Sequence, residues 1–283
     1  MKFGANTMIF EFPFTTKSLA VLPKIKAMGF DGAEITIDGD KDIDYEIAAQ
    51  EFKKVGLEPL VCLILSPERD LISDDPAKRA NAKTYLKHCI DAIAKMGGKH
   101  IAGPLYSAVG RKENYSNAER ARLFDMCAEG LSEIARYAAD RGVVIGLEPL
   151  NRFETSFINL CKQAVPLVDA VNSPALGIHL DTFHMNIEEQ NLGEAIELAG
   201  SRLVHFHACE NDRGAPGSGH VPWLEVARAL KKIKYDEWIV IESFVSEIEA
   251  IAAAAAIWRP LASSQDFLAS SGLGFLKGLF GAV

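Results

Sequence analysis

Four side chains able to share one cation stand at the ends of apolar runs in the second half of the chain: Glu148, Asp181, His207 and Glu242. Glu148 follows Val143-Val144-Ile145-Gly146-Leu147, a continuous apolar stretch of the kind shown by a strand buried on both faces. An ionised carboxylate at the end of such a strand costs several kcal/mol unless it is paired or coordinates a cation. Arg152, close in sequence, is one possible partner, and a metal is the other. Three carboxylates and an imidazole, delivered by four consecutive strands, form a ligand set for a divalent ion. Its oxygen-rich character suits Mn²⁺, Mg²⁺ or Co²⁺ better than a structural zinc, which favours thiolates. Glu148 reads as ligand and as acid/base at once. Strand parity puts His179 inward with Asp181, and His205 inward with His207. These two histidines are expected one layer beneath the ligands, with at least one of them hydrogen-bonded to a ligand. Glu154, His184 and Arg213 each fall in the loop after a ligand-bearing strand, where a substrate could meet them.

The elements that must hold these residues alternate along the chain. A strand at Lys2 to Thr7 leads through an aromatic loop (Phe10, Phe12, Phe14) into a helical stretch from Lys17 to Met28, capped by Gly29. Strands follow at Asp31 to Ile37, Glu58 to Leu63, Lys99 to Ala102 and Val143 to Leu147. Helices between them cover Tyr45 to Val55, the stretch opened by Ser73-Asp74-Asp75-Pro76 and ending at Met96, and Asn117 to Arg141. The second half repeats the rhythm, with helices at Asn159 to Val171, Leu192 to Ala199 and Trp223 to Ile233. Its strands lie at Leu176 to Leu180, Leu203 to Phe206 and Trp238 to Ile241, and a last barrel helix begins near Glu247. Eight unbroken alternations, with no GxGxxG after the first strand, predict a closed (β/α)8 barrel and no dinucleotide cofactor. One domain over residues 1–283 is expected, with a helical extension over about 260–283. There Phe267, Leu268, Phe275, Leu276 and Leu279 suggest an amphipathic helix lying on the barrel or on a neighbouring subunit.

Composition narrows the partners. The 283 residues are 48% hydrophobic with a formal net charge of −8, which disfavours nucleic acid and an anionic membrane surface and leaves small neutral ligands. Five cysteines without CxxC spacing argue against a disulfide framework. No apolar run approaches the roughly 18 residues of a membrane span, and the first residues lack a signal-like apolar region. A reducing cytoplasm is the expected setting.

The motifs Glu148-Pro149-Leu150-Asn151-Arg152-Phe153-Glu154-Thr155, Leu180-Asp181-Thr182-Phe183-His184-Met185-Asn186, His205-Phe206-His207 and Ile241-Glu242 carry a resemblance. Together they resemble the ketose 3-epimerases related to D-tagatose and D-psicose (allulose) 3-epimerase, within the xylose-isomerase-like barrel superfamily. The likeness runs from the first strand to Trp258-Arg259-Pro260-Leu261. It implies that Glu148, Asp181, His207 and Glu242 hold one divalent ion per subunit, Mn²⁺ foremost, with Mg²⁺ or Co²⁺ as alternatives. Glu148 and Glu242 would also be the catalytic acid/base pair. Glu154, His184 and Arg213 would grip the O1 to O3 end of a ketose, with Asn6 and Leu105 as further substrate contacts. A homodimer or homotetramer is implied as well. The chain departs from the pattern at Asn6, where members of the group often carry an aromatic residue.

The chemistry is coherent on its own terms. The C3 proton of a ketose lies next to the C2 carbonyl, so its removal gives an enediolate whose charge a divalent cation can share. Two carboxylates on opposite faces let one remove the proton and the other return one from the far side, which inverts C3. Other isomerases or dehydratases of the same superfamily share the quartet. An apurinic-site endonuclease shares Asp181-x-x-His184 but needs further histidines near the third and fourth strands, where Leu63, Leu65, Ala102 and Gly103 stand. A non-catalytic sugar-binding barrel would have little use for two inward glutamates.

Overall fold

A computed structural model describes residues 1–38 and 42–283. Eight parallel strands close into a barrel in sequence order: β1 (Lys2–Asn6), β2 (Gly32–Ile35), β3 (Glu58–Cys62), β4 (His100–Gly103), β5 (Val144–Leu147), β6 (Leu176–Asp181), β7 (Leu203–Ala208) and β8 (Trp238–Ile241). Pairing of β8 with β1 completes the ring, with Phe3 opposite Ile239 and Ala5 opposite Ile241. The outer layer consists of α1 (Leu22–Ala27), α2 (Tyr45–Val55), α3 (Pro76–Met96), α4 (Asn117–Ala139), α5 (Cys161–Val171), α6 (Thr182–Glu188), α7 (Leu192–Ala199), α8 (Trp223–Lys232), α9 (Glu249–Ala255) and α10 (Gln265–Ala282). Among the described residues no helix is long and apolar enough to cross a membrane.

Local chemistry sets the boundaries. Asp44, Asp75 and Ser116 cap the N-termini of α2, α3 and α4 through their side-chain oxygens, and Ser116 with Glu119 forms a reciprocal capping box. Gly56 and Gly97 end α2 and α3 in the left-handed conformation that glycine adopts without strain. The stretch expected as one helix over Lys17 to Met28 is two elements, a 3₁₀ segment Thr16–Val21 and then α1. Pro23, which has no backbone N–H to donate, is tolerated only in the first turn and so marks a new start. The tail helix α10 buries Leu268, Leu273 and Leu276, packing against α8 and β8 and leaving Phe267 exposed. It is a cover for the barrel, as the spacing of its apolar residues suggested.

Inside the barrel the filling changes from apolar to polar along the axis. Leu60, Trp238 and Val240 form a buried cluster at the lower end. Gly32 makes room for it, since a Cβ there would stand 2.7 Å from the Trp238 ring. Above it lie Glu34, His179, His205 and His207, all at or near zero exposure. Gly146 leaves the space these rings need, because its Cβ would meet the Cβ of His179 at 3.0 Å. Gly32 and Gly146 therefore have a steric cause: each lies against a large side chain of the barrel interior.

His100, at the start of β4, offers a test of this interior that is independent of the site above it. Burial first, then the neighbouring positive groups His205, Lys2 and Lys99, push its imidazole down to about 4. The folded protein thus refuses a proton that the unfolded chain accepts below about 6.5, so stability is full above that pH and declines towards pH 4. At 1.36 kcal/mol per pH unit the loss from this group amounts to at most roughly 3 kcal/mol. Urea titrations between pH 7 and pH 4 should show a shallower acid decline for His100→Asn than for the parent. Parallel pH profiles would refute the assignment.

Candidate active site

The carboxyl ends of β5 to β8 converge on one cluster. Asp181 is the last residue of β6 and His207 the fifth of β7, paired opposite each other, while Glu148 and Glu242 directly follow β5 and β8. Ligand atoms of Glu148, Asp181 and His207 all lie within 4.8 Å of one another. His207 Nδ1 stands 3.5 Å from Glu242 Oε2 and 3.9 Å from Asp181 Oδ2. That nitrogen is buried without a hydrogen-bond partner among the described residues, and it points into a set of carboxylates. An orphaned imidazole nitrogen facing buried carboxylates fits a divalent cation. Arg152, the rival partner for Glu148, instead pairs at the surface with Glu188, Nε to Oε1 at 2.9 Å.

Each ligand-type residue is held by its surroundings. Asp181 caps α6, its Oδ1 accepting the Phe183 N–H at 2.7 Å and the Cys209 thiol at 3.1 Å. His184 therefore sits in the first turn of α6 rather than in the loop expected for it. Its Nδ1 accepts the Asn151 backbone N–H at 3.1 Å, and its Nε2 lies 3.6 Å from Glu148 Oε1. Burial, and then Arg213, bring the ring down to about 3, so it is neutral. Glu154 accepts from Asn151 Nδ2 at 2.7 Å, and burial raises its proton affinity.

Arg213 takes a central place. Its Nη1 donates to Asp181 Oδ2 and, at 2.7 Å, to Glu242 Oε2, and its Nη2 lies 3.0 Å from His184 Nε2. The guanidinium lies 4.1 Å from the Phe183 ring centre and 5.2 Å from that of Phe244, within cation–π range of both. Its backbone has φ +68, an uncommon conformation for a non-glycine residue, held by a bond from its N–H to the Glu210 carbonyl and from Ser243 Oγ to its own carbonyl. The buried Glu210 carboxylate ties the same loop together, accepting from the Gly217 and Val221 N–H groups and from the Trp223 indole.

The two glutamates differ in proton affinity. Burial, then repulsion from Asp181 and Glu242, pushes Glu148 well up. Burial also acts on Glu242, but Arg213 and His207 outweigh it and hold that carboxyl below the usual range. Two carboxyl groups driven apart in this way form an acid and a base at one pH. Both line a cavity of about 240 Å³ together with Glu154, His184 and Arg213. Its remaining wall is largely apolar, with Met8, Phe12, Ile37, Leu63, Val109 and Phe244.

Two expected substrate contacts lie elsewhere. Asn6 is fully buried, its Oδ1 taking the Met8 N–H and its Nδ2 donating to Glu34 at 2.9 Å, and Met8 and Phe12 face the cavity instead. Leu105 is packed in the main core because the Leu105 N–H turns back onto the Gly103 carbonyl at 2.9 Å, leaving Pro104 at the cavity. Neither His179 nor His205 hydrogen-bonds a ligand-type residue. His179 Nδ1 is 3.6 Å from Glu148 Oε2, and His205 Nε2 is 2.8 Å from Glu34 Oε1 but off the line of the N–H. The residue that does is Glu34, absent from the sequence reading, whose Oε2 lies 2.8 Å from His207 Nε2. Burial opposes its charge, yet His207 and His205 keep it far below the usual carboxylate range. A glutamate amid Gly32, Ala33 and Ile35 was the available signal.

Known proteins resemble this chain in sequence and fold. The sequence profile of the xylose isomerase-like TIM barrel family matches residues 22–264. The chain is 34% identical over 279 residues to a probable ketose 3-epimerase of Synechocystis sp., covering 98% of this chain and 96% of that protein. It is 34% identical over 257 residues to an L-ribulose 3-epimerase of Methylomonas sp., covering 88% and 87%. The crystal structure of a D-allulose 3-epimerase from Methylomonas sp., in complex with D-allulose, superposes with a TM-score of 0.92 at 31% identity, covering 98% of this chain and 96% of the other. With the profile match, these identities over nearly the whole chain and the shared barrel in agreement, the chain belongs to the xylose isomerase-like TIM barrel family and, within it, to the ketose 3-epimerases.

Proposed function

We propose that this protein inverts free ketoses at C3, of the D-fructose/D-psicose, D-tagatose/D-sorbose or L-ribulose/L-xylulose type, with one divalent ion per subunit, Mn²⁺ foremost. The observation that carries this reading is the pair Glu148 and Glu242, opposed in proton affinity and lining one cavity beside the unpartnered His207 Nδ1. Glu148, Asp181, His207 and Glu242 would hold the ion, which when bound supplies positive charge to offset that developing on the substrate oxygens. Glu154, His184 and Arg213 then orient the carbonyl end of the sugar. One carboxylate takes the C3 proton, and the electron pair of the broken C–H bond moves into the C2–C3 bond as charge passes to the C2 oxygen. The other, protonated, carboxyl delivers its proton to the opposite face of C3, and the carbonyl re-forms. The apolar wall excludes water from the exposed carbanionic centre.

A panel of free ketopentoses and ketohexoses, assayed with Mn²⁺, Mg²⁺ or Co²⁺ and resolved by chromatography, tests the reading. The expected product in each productive case is the C3 epimer alone. Conversion to an aldose, loss of water or no turnover with any sugar would reject it. The cysteines Cys62, Cys89, Cys127, Cys161 and Cys209 are all buried and none forms a disulfide, which supports a reducing compartment such as the cytoplasm. Family resemblance supports a homodimer or homotetramer, which sedimentation would resolve.

A further inference from the structure

Glu34 lies within β2, fully buried and outside the lining of the cavity. A carboxylate buried there needs a structural reason. Its Oε2 receives two hydrogen bonds, from Asn6 Nδ2 at 2.9 Å and from His207 Nε2 at 2.8 Å, while Oε1 faces His205. Asn6 is itself fixed, because its Oδ1 is engaged by the Met8 N–H, so its amide can only present N–H groups to Glu34.

We propose that Glu34, braced by Asn6, is a positioning residue that sets the His207 imidazole for metal binding. A ligating His207 keeps one ring proton, and because a carboxylate offers only acceptors that proton sits on Nε2. The Nδ1 lone pair is then directed at Glu242 and Asp181, 3.5 and 3.9 Å away. Without Glu34 the ring would gain by moving its proton to Nδ1, where Glu242 and Asp181 could accept it, and that nitrogen would be closed to a cation. Residues that fix the outer nitrogen of a ligating histidine commonly change metal affinity by about 10- to 100-fold. Glu34 meets this description with one oxygen, while its other oxygen stands 2.8 Å from His205 Nε2.

This inference rests on the metal-dependent reading above, and its test separates the two. Dissociation constants for Co²⁺ and Mn²⁺ are measured by chelator competition for the parent chain, Glu34→Ala and Glu34→Gln. Glu34→Ala should bind about 10- to 100-fold more weakly. Glu34→Gln should lose less, because its amide oxygen can keep the Asn6 and His207 bonds while its NH₂ group turns to His205. Activity lost at low metal should return in Glu34→Gln as metal is raised, without a change in KM for the sugar. Nitrogen-15 spectra of the Mg²⁺-loaded parent should show His207 protonated at Nε2. Circular dichroism and melting in excess chelator identify any variant that fails to fold, and the isosteric Glu34→Gln covers that case. Folded variants binding metal within about twofold of the parent, or a His207 protonated at Nδ1, would overturn the role of Glu34 alone. A parent chain that binds no divalent metal would overturn the metal-dependent reading too.

Discussion

Glu148→Gln and Glu242→Gln each lower kcat by about 10²- to 10⁴-fold, the range typical of a positioned proton donor or acceptor. The reason lies in the division between them. Burial and two neighbouring carboxylates raise the proton affinity of Glu148, while Arg213 and His207 lower that of Glu242. Inversion needs both faces of C3 served, so removing either group stops it. The surviving carboxylate can still exchange the proton of the one epimer that presents C3–H to it. In D₂O, therefore, each variant should label a different epimer without converting it, and the parent should form product carrying deuterium at C3. Both residues also belong to the proposed ligand set, so metal content must be measured alongside. Loss of the ion would end exchange with both sugars. Unlabelled product from the parent, or exchange of the same epimer by both variants, would contradict proton transfer by an opposed pair.

Removing divalent metal with a chelator abolishes turnover and lowers the melting temperature, and Arg213→Ala deepens the second effect. Glu148, Asp181 and Glu242 are all at most 5% exposed, and Arg213 spans two of them. A bound ion stabilises only the folded chain, by about 2.7 kcal/mol at one hundred times its dissociation constant. In chelator, Arg213→Ala leaves Asp181 and Glu242 without their guanidinium partner, and breaking a buried pair in this way costs about 3–5 kcal/mol. In saturating metal the ion supplies charge to the same carboxylates, so the stability loss shrinks and the main defect becomes a higher KM. Thermal unfolding of both proteins with and without metal reads this directly. Equal stability of Arg213→Ala and its parent in chelator, or full activity in protein shown metal-free by elemental analysis, would refute the account.

Most of the barrel and the strand-end quartet were legible because both rest on local pattern. Strands buried on both faces read as apolar runs, and Glu148, Asp181, His207 and Glu242 stand out at their ends. The parity argument for His179 and His205 held because β6 and β7 pair in the register that places His179 opposite His205 and Asp181 opposite His207. What escaped depends on distant pairing. Asn6 faces Glu34 rather than the cavity because β1 and β2 pair Asn6 with Glu34, a register no single strand reveals. Read alone, Glu34 is an ordinary polar residue in a four-residue strand, and only barrel closure brings it to His207. Helix α6 is seven residues long, too short to show a period, although Asp181 at its N-cap was in plain view.

The two halves of the barrel contribute differently to the cavity. Glu148, Glu154, His184, Arg213 and Glu242 all follow the last four strands, while Met8, Phe12, Ile37, Leu63 and Val109 follow the first four. The proton machinery is therefore encoded in the second half of the sequence and much of the apolar wall in the first, with Leu150, Phe183 and Phe244 added from the second. Substitutions in the early loops can accumulate, enlarging or narrowing the space for the tail of a sugar, while the carboxylates that invert C3 stay in place. Such a chain is suited to lineage divergence by substrate range. A laboratory library confined to those five wall positions would explore new sugars while the inherited reaction is left intact.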